Sequence, residues 1–154
     1  MIQRIQTVYL FLAILLIGSL FSVPFAELTN TKGELFLLDA KGLYPAVSQS
    51  ANPIFVNTII VILCAACIAM MIITIFRYKM LARQISLSKI ALILLFTLAA
   101  VIFYEIWKAS GMLGGTYSIK IYTSFPVIAI ILVWLAMRGM HKDNQLLKSI
   151  DRIR

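Results

Sequence analysis

Long apolar runs, separated by short polar or basic stretches, set the pattern of this chain. Four of them reach the ~20 residues that a membrane-spanning helix needs, within a range of roughly 17 to 25. They cover residues 5–26, 54–76, 90–107 and 121–137. The first has no charge between Arg4 and Glu27, and the second has none at all. The third is interrupted only by Glu105, near its end, and the fourth is the shortest. Lipid offers an open backbone no hydrogen-bond partner, and connections such as these cannot close a barrel, so all four runs are predicted to be helices. The expected fold class is an all-α membrane protein: a four-transmembrane-helix bundle, one domain over residues 1–154, with a basic amphipathic tail at 138–154.

The first run has the outline of a signal peptide, with a basic start and Ala26 at its end. Its apolar stretch is longer than an h-region of roughly 7 to 15 residues, and Pro24 stands where a small residue is required. It is therefore expected to remain as a helix.

The connections also carry pattern. Residues 34–39 are apolar and strand-like, and Asp39-Ala40-Lys41-Gly42 puts Asp first and Gly last in a type I turn. Residues 43–47 form the expected returning strand, with Pro45 restricting it to an edge. Residues 117–122 alternate strictly and read as a further strand. These pieces predict a small outer cap, a β-hairpin or a three-stranded sheet; a loop lying on the headgroups is the alternative. Gly111, Gly114 and Gly115 make a turn before the last strand, since no Lys-Ser or Lys-Thr follows them to form a phosphate loop.

Composition narrows the class. Hydrophobic residues make up 62% and charged residues 13%, against about half and a quarter in soluble domains. A chain this apolar cannot cover its surface with polar groups, which excludes a soluble enzyme, a disordered chain and a disulfide scaffold.

Charge supplies orientation. Of the 14 Lys and Arg residues, ten fall at the start, between helices two and three, and in the tail: Arg4, Arg77, Lys79, Arg83, Lys89, Arg138, Lys142, Lys148, Arg152 and Arg154. The other four are Lys32, Lys41, Lys108 and Lys120. The positive-inside rule then places both termini in the cytoplasm. The net charge of +8 is read as attraction to anionic headgroups rather than to nucleic acid, because no basic–aromatic recognition motif accompanies it. Tyr104, Trp107, Tyr117 and Tyr122 suit an outer aromatic belt, and Tyr9, Tyr78 and Trp134 an inner one. In the tail, Leu146, Leu147, Ile150 and Ile153 recur at helical spacing, with Lys148 and Arg152 among them. This amphipathic stretch is expected to lie on the inner leaflet, with docking of a partner protein as the alternative.

Candidate chemistry is sparse. Cys64-Ala-Ala-Cys67 has redox or metal spacing, but it lies deep in helix two, where a thiolate is disfavoured. The pair reads as packing. The single His141 stands beyond Arg138 and completes no zinc set, so no metal or cofactor is expected. Glu105 is the only acid inside a span and hence the candidate functional residue; an interfacial pair with Lys108, three residues on, is the plainer reading. Asn57, Thr58, Thr74, Thr97, Thr123 and Ser124 are expected to bond their own helix or a neighbour. Gly18 with Ser22, and Ala65 with Ala69, suggest helix-packing seams.

The opening Met1-Ile-Gln-Arg-Ile-Gln-Thr-Val-Tyr9, the inner Arg83-Gln84-Ile85 and the closing Asp151-Arg152-Ile153-Arg154 together resemble a bacterial membrane family, domain of unknown function 4293, largely from Bacteroidota. The resemblance runs the full length. It implies a multi-pass protein of the inner membrane and supplies no catalytic residue. The expected role is not enzymatic: an accessory or structural subunit of a larger membrane complex, touching lipids and other integral membrane proteins. The alternative is a carrier or binding protein for a lipid, quinone or small solute, favoured by a pocket reaching Glu105. A thiol–quinone enzyme ranks third, since it needs a second, exposed Cys pair.

Overall fold

The computed structural model describes residues 3–47, 53–77 and 81–151. Four α-helices, α1 (Gln3–Ser19), α2 (Thr58–Phe76), α3 (Leu81–Leu113) and α4 (Phe125–Asp151), form a bundle. Five short strands, β1 (Ala26–Thr29), β2 (Leu35–Leu38), β3 (Gly42–Pro45), β4 (Phe55–Val56) and β5 (Tyr117–Ile119), form one antiparallel sheet in the order β4-β3-β2-β1-β5. The first four strands lie between α1 and α2, and β5 lies between α3 and α4. The sheet therefore caps one end of the bundle.

Each helix packs on two neighbours, in the cycle α1, α2, α3, α4 and back to α1. The core positions step alternately by three and four residues. On α1 they are Gln6, Leu10, Ala13 and Ile17; on α2, Ile60, Cys64, Cys67, Met71 and Thr74; on α4, Ala129, Val133, Ala136 and Met140. That spacing is the seam of a left-handed helical bundle. The outer faces are equally apolar, with Phe11, Ile62, Phe96 and Ile131 all exposed. A helix apolar all round belongs in a large core or in lipid. Among the described residues, three segments are long and apolar enough to cross a membrane: Thr58–Phe76, Leu81–Leu113 and Ile121–Leu146. The apolar part of α1, Ile5–Ser19, is shorter than these.

Several boundaries differ from the expected ones. The first helix stops at Ser19 rather than 26. Leu20, Phe21 and Ser22 each donate a backbone N–H three residues back, tightening the chain, and Pro24 has no N–H to continue it. Ala26 then starts β1. The second helix begins at Thr58 rather than 54, because Phe55 and Val56 pair with Leu43 and Gly42. The third runs over 33 residues, roughly 50 Å at 1.5 Å per residue, longer than 90–107 at both ends. The fourth continues without a break through 138. The tail is therefore not a separate helix; up to Asp151 it prolongs α4.

The cap is likewise larger than a hairpin or three strands. The strands read at 34–39 and 43–47 appear as β2 and β3, joined by the expected turn: the Asp39 carboxylate accepts from the N–H of Lys41 at 2.7 Å and of Gly42 at 2.8 Å. β4 lies in an apolar run expected to be helical, and β1 starts at the last residue of another and continues into the loop. Pro45 does not mark an edge strand, because β3 lies inside the sheet. It escapes the penalty by sitting beyond the reach of β4, which pairs only Gly42 and Leu43. The last strand ends at Ile119, and residues 121–124 form a 3-10 turn leading into α4.

Candidate functional site

Polar side chains collect at the two ends of the bundle, and they define where function can reside. At the end away from the cap, Gln6 of α1 is 3% exposed and donates to the Asp143 carboxylate of α4 at 2.6 Å. Gly139 makes room for it: a Cβ there would stand 3.1 Å from Gln6 Cγ. Gln84 of α3, also buried, donates to the Thr74 carbonyl of α2 at 3.2 Å. Ser88 donates to the Gln84 carbonyl and lies 3.6 Å from the Met140 sulfur. The four helices are thus tied pairwise by buried side-chain amides and a hydroxyl. Such groups hold partners more firmly inside a bundle than at a wet surface, because the unpaired alternative is costly.

At the capped end, Glu105 is buried and sits 3.5 Å from Lys108 one turn later. The Lys108 ammonium in turn lies 5.3 Å from the Phe55 ring centre, on β4. Glu105 is thus paired within its own helix, and its partner Lys108 reaches the cap. Asn57 is drawn into the cap too: its N–H donates to Lys41 and its side-chain amide reaches the Asp39 carbonyl at 3.5 Å. The Phe25 carbonyl receives both the Lys120 N–H at 3.0 Å and the Thr123 hydroxyl at 2.5 Å. Glu27 of β1 pairs at 2.7 Å with Lys120, just past the end of β5.

Among the described residues, two open grooves stand out besides these clusters. One, of about 410 Å³, lies between the end of α2 and the start of α3. The other, of about 320 Å³, is in the cap and includes Ser22, Asp39, Lys41 and Tyr44. Glu105 lines neither of them.

The remaining sequence candidates are distributed as follows. Cys64 and Cys67 are reduced and fully buried, on the core face of α2. Ala65 and Ala69 face outward, and Gly18 has no neighbour within 4 Å of an added Cβ while Ser22 lies past the helix end, so neither small-residue pair forms a seam within this chain. Leu146 is exposed. The side chains of Leu147, Lys148 and Ile150, and the residues Arg152 and Ile153, lie outside the described residues. Thr74 and Thr97 bond carbonyls of their own helices as expected, whereas Thr123 bonds the Phe25 carbonyl, outside any helix. Gln6, Gln84 and Asp143 are candidate-site residues that the sequence reading does not predict. Their signal is that they fall in the three-and-four stripe of buried positions, where a polar residue needs a partner.

The exposed apolar surface runs along the whole bundle and continues into the capped end. Every side chain of β5, an edge strand, is exposed, including Tyr117 and Ile119. Trp107, Met112 and Ile121 nearby are 65–76% exposed.

No curated protein matches the chain. A family model described as a domain of unknown function (DUF4293) matches residues 2–153. That match covers nearly the whole sequence, both polar clusters and the cap together, and the chain therefore belongs to the DUF4293 family.

Proposed function

We propose that this chain is a bacterial inner-membrane protein that works as an accessory or structural subunit of a larger membrane complex, without catalysis of its own. The observation that carries this reading is the open edge of β5. Its outer backbone edge, unpaired among the described residues, and exposed Tyr117 and Ile119 offer a partner a strand to extend or pack upon. Only 28–33% of the residues in the three membrane-length spans are buried within the chain. The remainder is surface for lipid or for helices of other proteins.

The basic residues support an orientation with both termini in the cytoplasm. Arg77, Arg83, Lys89, Arg138 and Lys142 lie toward the end away from the cap, and Lys32, Lys41, Lys108 and Lys120 toward the capped end. A non-catalytic role is supported by how the polar groups are used. Gln6, Asn57, Thr74, Gln84, Ser88, Glu105 and Thr123 each engage a backbone or side-chain partner within the chain.

Extraction of the native protein in several mild detergents, followed by identification of what migrates with it, tests the reading. Co-migrating membrane proteins, released when Tyr117 and Ile119 are both changed to Lys, are the expected result. A lone monomer carrying a tightly bound small molecule would replace it with the carrier reading.

A further inference from the structure

We propose that the groove between the end of α2 and the start of α3 binds the headgroup of an anionic phospholipid, with Arg77 and Arg83 holding the phosphate. Its lining is Ile73, Arg77, Ala82, Arg83, Ser86 and Leu87. This rests on the membrane reading above and adds to it a specific lipid site.

The polarity of the groove has a direction. α2 runs away from the cap, so Ile73 lies one turn nearer the bilayer centre than Arg77. α3 runs back toward the cap, so Leu87 lies one turn nearer the centre than Arg83. Two cations therefore stand at the outer rim and two apolar side chains beneath them. A phospholipid has the same order, phosphate above and acyl chain below. A soluble anion would leave Ile73 and Leu87 facing water, and Ile73 is 43% exposed.

The charge is uncompensated. Among the described residues no acid lines the groove, and neither Arg77 nor Arg83 forms an ion pair. Guanidinium forks match phosphate oxygens in pairs. With no carboxylate to meet a choline or ethanolamine, a net-negative headgroup fits better than a zwitterionic one. The mouth is also held in shape. Gln84, 4% exposed, bonds the Thr74 carbonyl and ties the first turn of α3 to the last turn of α2. The helix ends that carry the two arginines are thus held as opposite lips of one opening before any lipid arrives, which lowers the ordering cost of binding.

Native mass spectrometry of the full-length protein, in nonionic detergent with equal phosphatidylglycerol and phosphatidylcholine of matched chains, tests this. The expected result is retained phosphatidylglycerol, preferred roughly tenfold. The preference should fall to near one in the Arg77→Gln/Arg83→Gln variant and survive in Arg138→Gln/Lys142→Gln, which removes equal charge from the same end. If the first variant fails to fold, Arg83→Lys keeps the charge but loses the fork, and should reduce the preference partly. Equal retention of the two lipids by the wild type overturns the proposal. So does a preference that survives Arg77→Gln/Arg83→Gln, one that is lost equally in the Arg138→Gln/Lys142→Gln control, or one that is unaltered by Arg83→Lys. Displacement of the lipid by inorganic phosphate would make the site one for soluble anions and would also overturn it. Resistance of the wild type to carbonate extraction from membranes tests the membrane reading separately.

Discussion

The Gln6 side-chain amide and the Asp143 carboxylate, 137 residues apart, meet at 2.6 Å and join the first helix to the far part of the last. This contact explains why the expected tail does not leave the bundle: α4 is held against α1 well past Arg138. Replacing Gln6 with Leu leaves Asp143 facing an apolar neighbour. The expected cost is about 1–3 kcal/mol, read as a lower melting temperature in detergent. Gly139→Val should act in the same direction by pushing Gln6 away. An unchanged melting temperature in both variants would show that the contact carries no stability.

Thr123 and Phe25 join the cap to the bundle. Thr123→Val removes the hydroxyl that Phe25 accepts, at an expected cost of about 1 kcal/mol. Gly115 acts nearby, since a Cβ at that position would collide with the Thr29 carbonyl. Gly115→Val should therefore displace β5 from β1. Limited proteolysis from the capped side should cut both variants faster within residues 26–47 than the wild type, with Gly115→Val the faster. Equal cleavage of all three proteins would mean that the cap is not held through these positions.

Cys64 and Cys67 fill the α2 core stripe. Changing both to Ala removes buried sulfur and leaves small voids, for an expected loss of about 1–3 kcal/mol in all. Co-migrating proteins should be retained. Loss of those partners at a normal protein level would restore a chemical role for the pair.

The basic asymmetry predicts the outcome of two labels. A reporter fused after Arg154 should report a cytoplasmic location. A single Cys placed at Lys32, in a Cys64→Ala/Cys67→Ala background, should react with an impermeant thiol reagent added from outside. Export of the C-terminal reporter would invert the orientation.

The sequence by itself determined the class, the approximate places of α2, α3 and α4, and the Asp39 turn with its two flanking strands. These rest on local causes: apolar length, and a carboxylate that reaches the N–H groups two and three residues on. The reading of Glu105 beside Lys108 followed the same way, from helical spacing alone. Other features were decided only in three dimensions. Ala26 and Phe55 sit in apolar runs that continue neighbouring helices, and they become strands because partners at Leu38 and Leu43 stand opposite them. The core faces were equally concealed. A helix in lipid is apolar on every side, so hydrophobicity has no period to betray the buried face. Only packing revealed that Gln6, Cys64, Gln84 and Met140 point inward while Ala65 and Ala69 point out. The tail followed the same logic, since residues 138–151 are amphipathic enough for a membrane surface, and the Gln6–Asp143 contact keeps their first turns on α1 instead.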